Sequence, residues 1–135
     1  MDLVKWLRLD PSRPIWTSGE TLSVDLPPRS VVCIESADPQ RCLPQVLAVI
    51  AAGHVAWPRA TLVGEAIDAG LARVDGPPPH PDACVILETS GSTGAPRRVQ
   101  LSAAGIRANV HAILAYLPLD ATARVGLLTP LHYSY

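Results

Sequence analysis

The sequence predicts an α/β fold in which a mostly parallel sheet is flanked by helices. Short apolar runs rich in β-branched residues occur at residues 31–34 and 84–87, as expected of strands buried on both faces. Apolar residues at helical spacing follow the first run, between residues 43 and 50. The 135 residues include no Phe and only three Trp and three Tyr, so the core must consist mainly of aliphatic side chains. Such cores suit a parallel sheet covered by helices.

The first half of the chain predicts a β–α–β unit followed by shorter elements. After the strand at residues 31–34, Pro39 suits the first turn of a helix and Gly53 suits its end. Residues 54–57 form the next strand, and we expect the crossover to be right-handed. A second helix is predicted over residues 62–69, ending at Gly70, with a short strand over residues 71–74. Four prolines make residues 75–82 an extended connector.

The second half predicts two strands that enclose a polar loop. The strands span residues 84–87 and 98–101, and Ser102 is placed to cap a helix over residues 103–117. A further strand is expected at residues 124–129. The predicted helix carries one apolar stripe, formed by Ile106, Val110, Ile113, Leu114 and Leu117.

Composition excludes several classes of function. The length suits one domain, or a piece of a larger one, and the net charge of −1 gives no basic field for nucleic acid or an anionic membrane. Three cysteines without C-x-x-C spacing indicate reduced, buried thiols. No signal peptide and no apolar run of about 20 residues is present, which favours a cytoplasmic protein.

The polar loop, residues 88–99, contains the candidate site. Its glycines and hydroxyl side chains allow successive backbone N–H groups to converge on an anion, and an arginine follows them, so we predict a polyphosphate-binding loop. A Walker A loop is a poor fit because the chain has one lysine, Lys5, far from this loop. No G-x-S-x-G nucleophile elbow is present. The simplest alternative is an ordinary Ser/Gly turn. The candidate residues are Thr89, Ser90, Gly91, Ser92, Thr93, Gly94 and Arg97.

The loop resembles the phosphate loop of the acyl-adenylate-forming enzymes, which include acyl-CoA synthetases, nonribosomal peptide synthetase adenylation domains and luciferases. Their pattern, [ST]-S-G-[ST]-T-G-x-P-K-G-V, is similar to T-S-G-S-T-G-A-P-R-R-V at residues 89–99. Residues 130–135, P-L-H-Y-S-Y, resemble the family's P-L-x-H-x-Y-G acyl-pocket segment, whose start would lie at residues 129–135. Weaker similarity covers residues 43–58. Two positions depart from the pattern, since Arg97 replaces a lysine and Arg98 a glycine.

The resemblance implies ATP-dependent activation of a carboxylic acid. In that reaction a carboxylate attacks the α-phosphorus of ATP, which gives acyl-AMP and releases pyrophosphate. Transfer to CoA, or to the phosphopantetheine of a carrier protein, usually follows. The loop and Arg97 would hold the ATP phosphates with Mg²⁺, and His132 and Tyr133 would line the acyl pocket, although which of the two matches the gating aromatic residue is ambiguous by one position. No metal-ligand set is implied in this chain.

The resemblance also implies that residues 1–135 form a single incomplete domain, the N-terminal portion of the large domain of an adenylate-forming enzyme. The family's ribose-binding aspartate and catalytic lysine match positions beyond Tyr135, so no complete catalytic set is expected here. The remainder would then lie in a longer chain or a second polypeptide. An alternative is a non-catalytic or partner-binding fragment of such an enzyme. A third possibility, a kinase-like phosphate binder, would produce ADP instead of AMP.

Overall fold

The computed structural model describes residues 25–36, 38–89, 96–117, 119–120, 122–123 and 132. These residues form six strands and two helices. The two strands and the helix predicted between residues 31 and 57 are confirmed, and each strand end lies within two residues of its predicted position. In chain order the elements are β1 (Val31–Glu35), α1 (Pro39–Ala51), β2 (Val55–Arg59), β3 (Glu65–Asp68), β4 (Leu71–Val74), β5 (Ala83–Thr89), β6 (Arg97–Ser102) and α2 (Ala103–Tyr116).

The six strands form one sheet in the order β3-β4-β1-β2-β5-β6. The pairs β1–β2 and β2–β5 are parallel, whereas β1–β4, β3–β4 and β5–β6 are antiparallel. The α/β class is therefore confirmed, but the expectation of a mostly parallel sheet is wrong, because the sheet is mixed. Connection length explains the difference: the links between β3 and β4 and between β5 and β6 are too short for the crossover of a dozen or more residues that parallel neighbours need.

One face of the sheet is covered by α1. The helix begins after Asp38, whose carbonyl oxygen accepts from the Cys42 N–H at 2.9 Å, and Gly53 ends the following turn at φ +85°. This packing buries the aliphatic core that the composition predicts. Its members are Val32, Ile34, Cys42, Val46, Val49, Ala56 and Leu71.

The opposite face has a second core centred on Trp57, which is 0% exposed. Leu62 and Val63, in the segment between β2 and β3, pack against this core. The face is thus covered by a strand connection rather than by α1. The buried members are Cys33, Val55, Trp57, Ala72, Ala83 and Ile86.

The helix predicted over residues 62–69 is wrong, because this segment contains β3 and the start of a β3–β4 hairpin. Gly64 has a φ of +108°, and a side chain there would overlap the carbonyl oxygen of Arg73 on β4. The hairpin turn is Ala69–Gly70, in which Gly70 has a φ of +80° and Asp68 Oδ1 accepts from the Ala69 N–H at 2.7 Å. An isolated helix of eight residues would be marginal, whereas the hairpin adds two strands to an existing sheet.

The helix predicted after Ser102 is confirmed as α2. Ser102 Oγ accepts from the Gly105 N–H at 3.0 Å, as expected of an N-cap. Its apolar stripe is not buried: no residue of α2 is buried, and the four members other than Ile106 are 41–48% exposed. The strand predicted over residues 124–129 lies outside the described residues.

The remaining expectations concern the connector and the cysteines. Residues 75–82 form no helix or strand, and their place is fixed by Arg29, which donates to the His80 carbonyl oxygen at 2.8 Å, and by Gln100 Oε1, which accepts from the His80 N–H at 2.8 Å. Burial raises the pKa of all three thiols. Cys33, Cys42 and Cys84 are free and buried, as predicted. Within the described residues, no helix is both long and apolar enough to span a bilayer.

Candidate functional site

Thr89 and Arg97, which flank the candidate loop in the sequence, lie at one edge of the sheet, where three parallel strands end. Because β1, β2 and β5 run in the same direction, their carboxyl ends meet there, and β6 starts from the same edge. Ligands of α/β sheets bind outside the carboxyl ends of the strands. Thr89 and Arg97 therefore lie at the edge at which a ligand is expected on topological grounds.

The last pair of the β5–β6 hairpin closes the loop. Thr89 pairs with Arg97, and the Thr89 hydroxyl donates to the Arg97 carbonyl oxygen at 3.4 Å. The hydroxyl proton of Thr89 thus contributes to the stem of the hairpin in this structure, while the Arg97 side chain is exposed. The strands predicted on either side of the loop are confirmed as β5 and β6. The other candidate residues of the loop, Ser90, Gly91, Ser92, Thr93 and Gly94, lie outside the described residues.

Next to this pair, two arginines contact the buried ring of Trp57. The guanidinium carbon of Arg98 lies 4.1 Å from the ring centroid, and that of Arg59 lies 4.6 Å from it. Glu88 pairs with Arg98 across the hairpin and forms a salt bridge of 3.4 Å with Arg59. We call these four residues, Trp57, Arg59, Glu88 and Arg98, the indole cluster. It joins β2, β5 and β6 next to the Thr89–Arg97 pair.

Strand geometry places the two consecutive arginines on opposite faces of the sheet. Side chains alternate along a strand, so Arg98 shares the face of Trp57 while Arg97 projects from the other face. The register agrees, because the partner of Arg98 is Glu88 and the partner of Arg97 is Thr89. The two arginines therefore have different environments despite being neighbours in sequence.

The charges at this edge leave an excess of positive charge. Arg59 is compensated by Glu88, with both side chains about three-quarters buried. Arg97 forms no salt bridge with any residue in the described part of the chain. Near the β5–β6 pair, the three arginines Arg59, Arg97 and Arg98 outnumber the carboxylate of Glu88, while Glu35, in register with Arg59 at the end of β1, adds a second carboxylate to the edge. The overall charge of −1 thus coexists with a small local excess of positive charge beside β6.

The residues expected to line an acyl pocket are only partly described. His132 is half-buried, and Tyr133 lies outside the described residues. The acyl-pocket assignment stays a prediction. Among the residues that the structure describes, no group of three or more His, Cys, Asp or Glu side chains could hold a metal ion.

Two comparisons with known proteins bear on the site. No protein-family model matches the chain, and a search of curated proteins finds no match either. The resemblance to the adenylate-forming enzymes therefore rests on the motif residues themselves, and the setting of those residues in the fold carries the functional argument.

Sequence reasoning did not anticipate the indole cluster. In the sequence pattern, Arg98 only replaces a glycine, and the pattern includes neither Arg59 nor Glu88 as a site residue. A signal was available: Trp57 and Arg59 are two residues apart at a strand end, and Glu88 and Arg98 are placed almost symmetrically about the loop. Alternation along strands puts such residues on one face once the strand neighbours are known. The neighbours were not known, because sheet order is not encoded in any single segment.

Proposed function

We propose that the loop at residues 88–99 binds the phosphates of ATP and that the chain supplies this part of an enzyme that activates carboxylic acids as acyl-adenylates. The observation that carries the proposal is the position of the motif. Thr89 and Arg97, which flank the Ser/Thr/Gly stretch in the sequence, pair with each other at the carboxyl edge of parallel strands. Both the motif and the edge favour a phosphate ligand.

The described residues at this edge fit a polyphosphate. Arg97 is exposed and has no carboxylate partner among them, so its guanidinium can form charge-assisted hydrogen bonds with phosphate oxygens. The nearest carboxylate on the stem, Glu88, is held by Arg59 at 3.4 Å and so repels an incoming anion less than an unpaired carboxylate would. The described residues beside the start of β6 thus carry a small excess of positive charge, although the chain as a whole does not.

The role of the loop follows from the charge that develops during adenylation. As the carboxylate forms its bond to the α-phosphorus, the bond to the β-phosphate breaks and negative charge grows on the departing pyrophosphate. Backbone N–H groups of the loop and the guanidinium of Arg97 would stabilise that charge. Mg²⁺, when bound, would share it, and this ion is commonly held by substrate phosphates rather than by a protein cage. CoA or a carrier protein would accept the acyl group.

The binding step can be tested by titrating the chain with Mg·ATP in a calorimeter. We expect Arg97→Ala to weaken binding about 10- to 100-fold, because a hydrogen bond to a charged group contributes about 1.5–3 kcal/mol. Arg97→Lys restores the residue of the family pattern, and we expect it to bind within a few-fold of the wild type. Arg107→Ala is the matched control. It removes the same charge from α2, which begins at the opposite edge of the sheet.

Two results would contradict the proposal. One is a wild-type chain that does not bind Mg·ATP, and the other is equal loss of affinity in Arg97→Ala and Arg107→Ala. For the reaction itself, a complete enzyme that carries Thr93→Val and Gly94→Val should lose ATP–pyrophosphate exchange with its acid. Formation of ADP instead of AMP would identify a kinase-like phosphate binder.

An alternative function is a non-catalytic subunit that works only in association with a partner. The observation in its favour is the apolar surface of α2, where Val110, Ile113, Leu114 and Leu117 are 41–48% exposed. Isolated exposed apolar residues are ordinary, whereas a contiguous patch marks an interaction surface. Light scattering of the purified chain, alone and with Leu114→Lys, would test association. A monomeric wild type that binds Mg·ATP would argue for the phosphate-binding function alone.

A further inference from the structure

The side chain of Arg98 stacks on an aromatic ring of the core. Its guanidinium lies 4.1 Å from the ring centroid of the fully buried Trp57, on the face of the sheet opposite to Arg97. A guanidinium over an indole face is attracted by the ring quadrupole, and tryptophan is the best partner for this contact. Arg98 is itself exposed, but its guanidinium stacks on a core residue, although it lies one residue from the proposed ligand Arg97.

We propose that Arg98 is a positioning residue for the loop, fixing the start of β6 on Trp57 so that Arg97 is presented on the opposite face. This inference rests on the proposed phosphate-binding function and names a residue for which the family pattern has only a glycine. Alternation of side chains along β6 means that the orientation of either arginine determines that of the other. Anchoring Arg98 at the core therefore anchors the stem pair Thr89–Arg97.

The rest of the indole cluster offsets the repulsion between the guanidinium groups of Arg59 and Arg98. Two guanidinium groups lie within 4.6 Å of the centroid of one ring, so their mutual repulsion must be offset. Glu88 does this, because it is the cross-strand partner of Arg98 and forms the 3.4 Å salt bridge with Arg59. Opposite charges directly across an antiparallel pair stabilise that pair. The cluster thus connects β2, β5 and β6 next to the Thr89–Arg97 pair.

A second contact on the same face holds β6 further along. Gln100 Oε1, two residues after Arg98, accepts from the His80 N–H at 2.8 Å. A slip of one residue would move this face of β6 to the other side of the sheet and would exchange the places of Arg97 and Arg98. The contacts of Arg98 and Gln100 therefore oppose this one-residue slip, which would move Arg97 away from the proposed site.

The test compares Arg98→Gln, Arg98→Lys and the control Arg107→Gln in the full chain. We expect Arg98→Gln to accelerate amide hydrogen exchange at residues 97–100 about fivefold, with exchange in β4 unchanged, because one cation–π contact is lost. In a background with Trp6 and Trp16 replaced by Phe, the emission of Trp57 should shift to longer wavelength. The dissociation constant for Mg·ATP should rise about fivefold. Arg98→Lys keeps the cation and should recover most of these losses, and Arg107→Gln should show none.

The other outcomes contradict either the role of Arg98 or the proposed phosphate-binding function. Equal exchange and emission in Arg98→Gln and Arg107→Gln would overturn it, as would acceleration spread evenly over β4 and β6, which indicates general destabilisation. Weaker Mg·ATP binding with unchanged exchange would also overturn it, because Arg98 would then contact the phosphate directly. If the wild type does not bind Mg·ATP, the proposed function fails, and the exchange and emission measurements alone decide whether Arg98 orders the stem.

Discussion

The substitution Gly64→Ala tests the β3–β4 hairpin, because two readings of this segment predict opposite signs. In the hairpin, Gly64 has a φ of +108°, where side chains other than hydrogen are strained. A methyl group would overlap the Arg73 carbonyl oxygen and lie 2.9 Å from its carbonyl carbon. In a helix over residues 62–69, the same change would stabilise the chain by about 1 kcal/mol, since alanine is the better helix former.

The magnitude follows from two terms. Unfavourable backbone conformation costs about 1–3 kcal/mol, and forcing atoms into a packed backbone costs about as much again. We therefore expect Gly64→Ala to lower the free energy of unfolding by about 3 kcal/mol or more. The control is Gly53→Ala. Gly53 also has a positive φ, +85°, but an added methyl group meets nothing within 4 Å. That variant should lose only about 1 kcal/mol.

Urea denaturation followed by circular dichroism measures both variants. With a slope of about 2 kcal/mol per M, a loss of about 3 kcal/mol lowers the midpoint by about 1.5 M, and Gly53→Ala lowers it by about 0.5 M. The slope itself should not change. A midpoint for Gly64→Ala at or above that of the wild type would refute the hairpin and restore the helix. Equal losses at the two glycines would show that conformation alone matters and that the close approach to Arg73 does not.

Two further predictions concern buried titratable groups. Burial raises the pKa of the three thiols, to about 11 for Cys42. An aromatic disulfide reagent at about pH 8 should therefore label the native chain slowly and the urea-unfolded chain rapidly. Rapid labelling of the native chain would contradict the buried positions of the thiols. Burial lowers the pKa of His54 below its ordinary value of 6.5. The neutral form is therefore favoured in the folded state, and its contribution to stability is present in full above pH 6.5 and is lost as the pH falls towards the folded-state pKa. Unfolding free energies measured from about pH 7 to about pH 5 should decline less in His54→Gln than in the wild type, and parallel profiles would exclude this role.

Local patterns predicted the elements whose signals lie within a short stretch. The strand at residues 31–34, the helix beginning at Pro39 and the cap at Ser102 each depend on spacing or on one capping residue, and the structure confirms all three. The segment at residues 62–69 failed because its apolar residues fit either period. There, the left-handed glycines at positions 64 and 70 decide the structure. The Asp-Ala-Gly sequence at residues 68–70 was the available hairpin signal.

Sheet order and burial were not predictable in the same way, because they depend on contacts between distant segments. Nothing in β4 indicates that it pairs with β1, and the mixed character of the sheet follows from that pairing together with two short hairpins. The apolar stripe of α2 shows that burial, too, is not predictable from local spacing. Its spacing predicted the helix correctly, but amphipathic spacing states which face is apolar and not what covers it.

The indole cluster shows how long-range pairing changes the meaning of a motif. In sequence, Arg97 and Arg98 look like two equivalent cations after a Ser/Thr/Gly loop. Pairing of β6 with β5, and of β5 with β2, places Arg98 over Trp57 and leaves Arg97 on the other face without a carboxylate partner among the described residues. One exposed arginine then stacks on a core residue, and the other is available to an anion. A chain with a net charge of −1 can in this way present a basic site, because the sheet separates the charge that stabilises the stem from the charge that can bind a ligand.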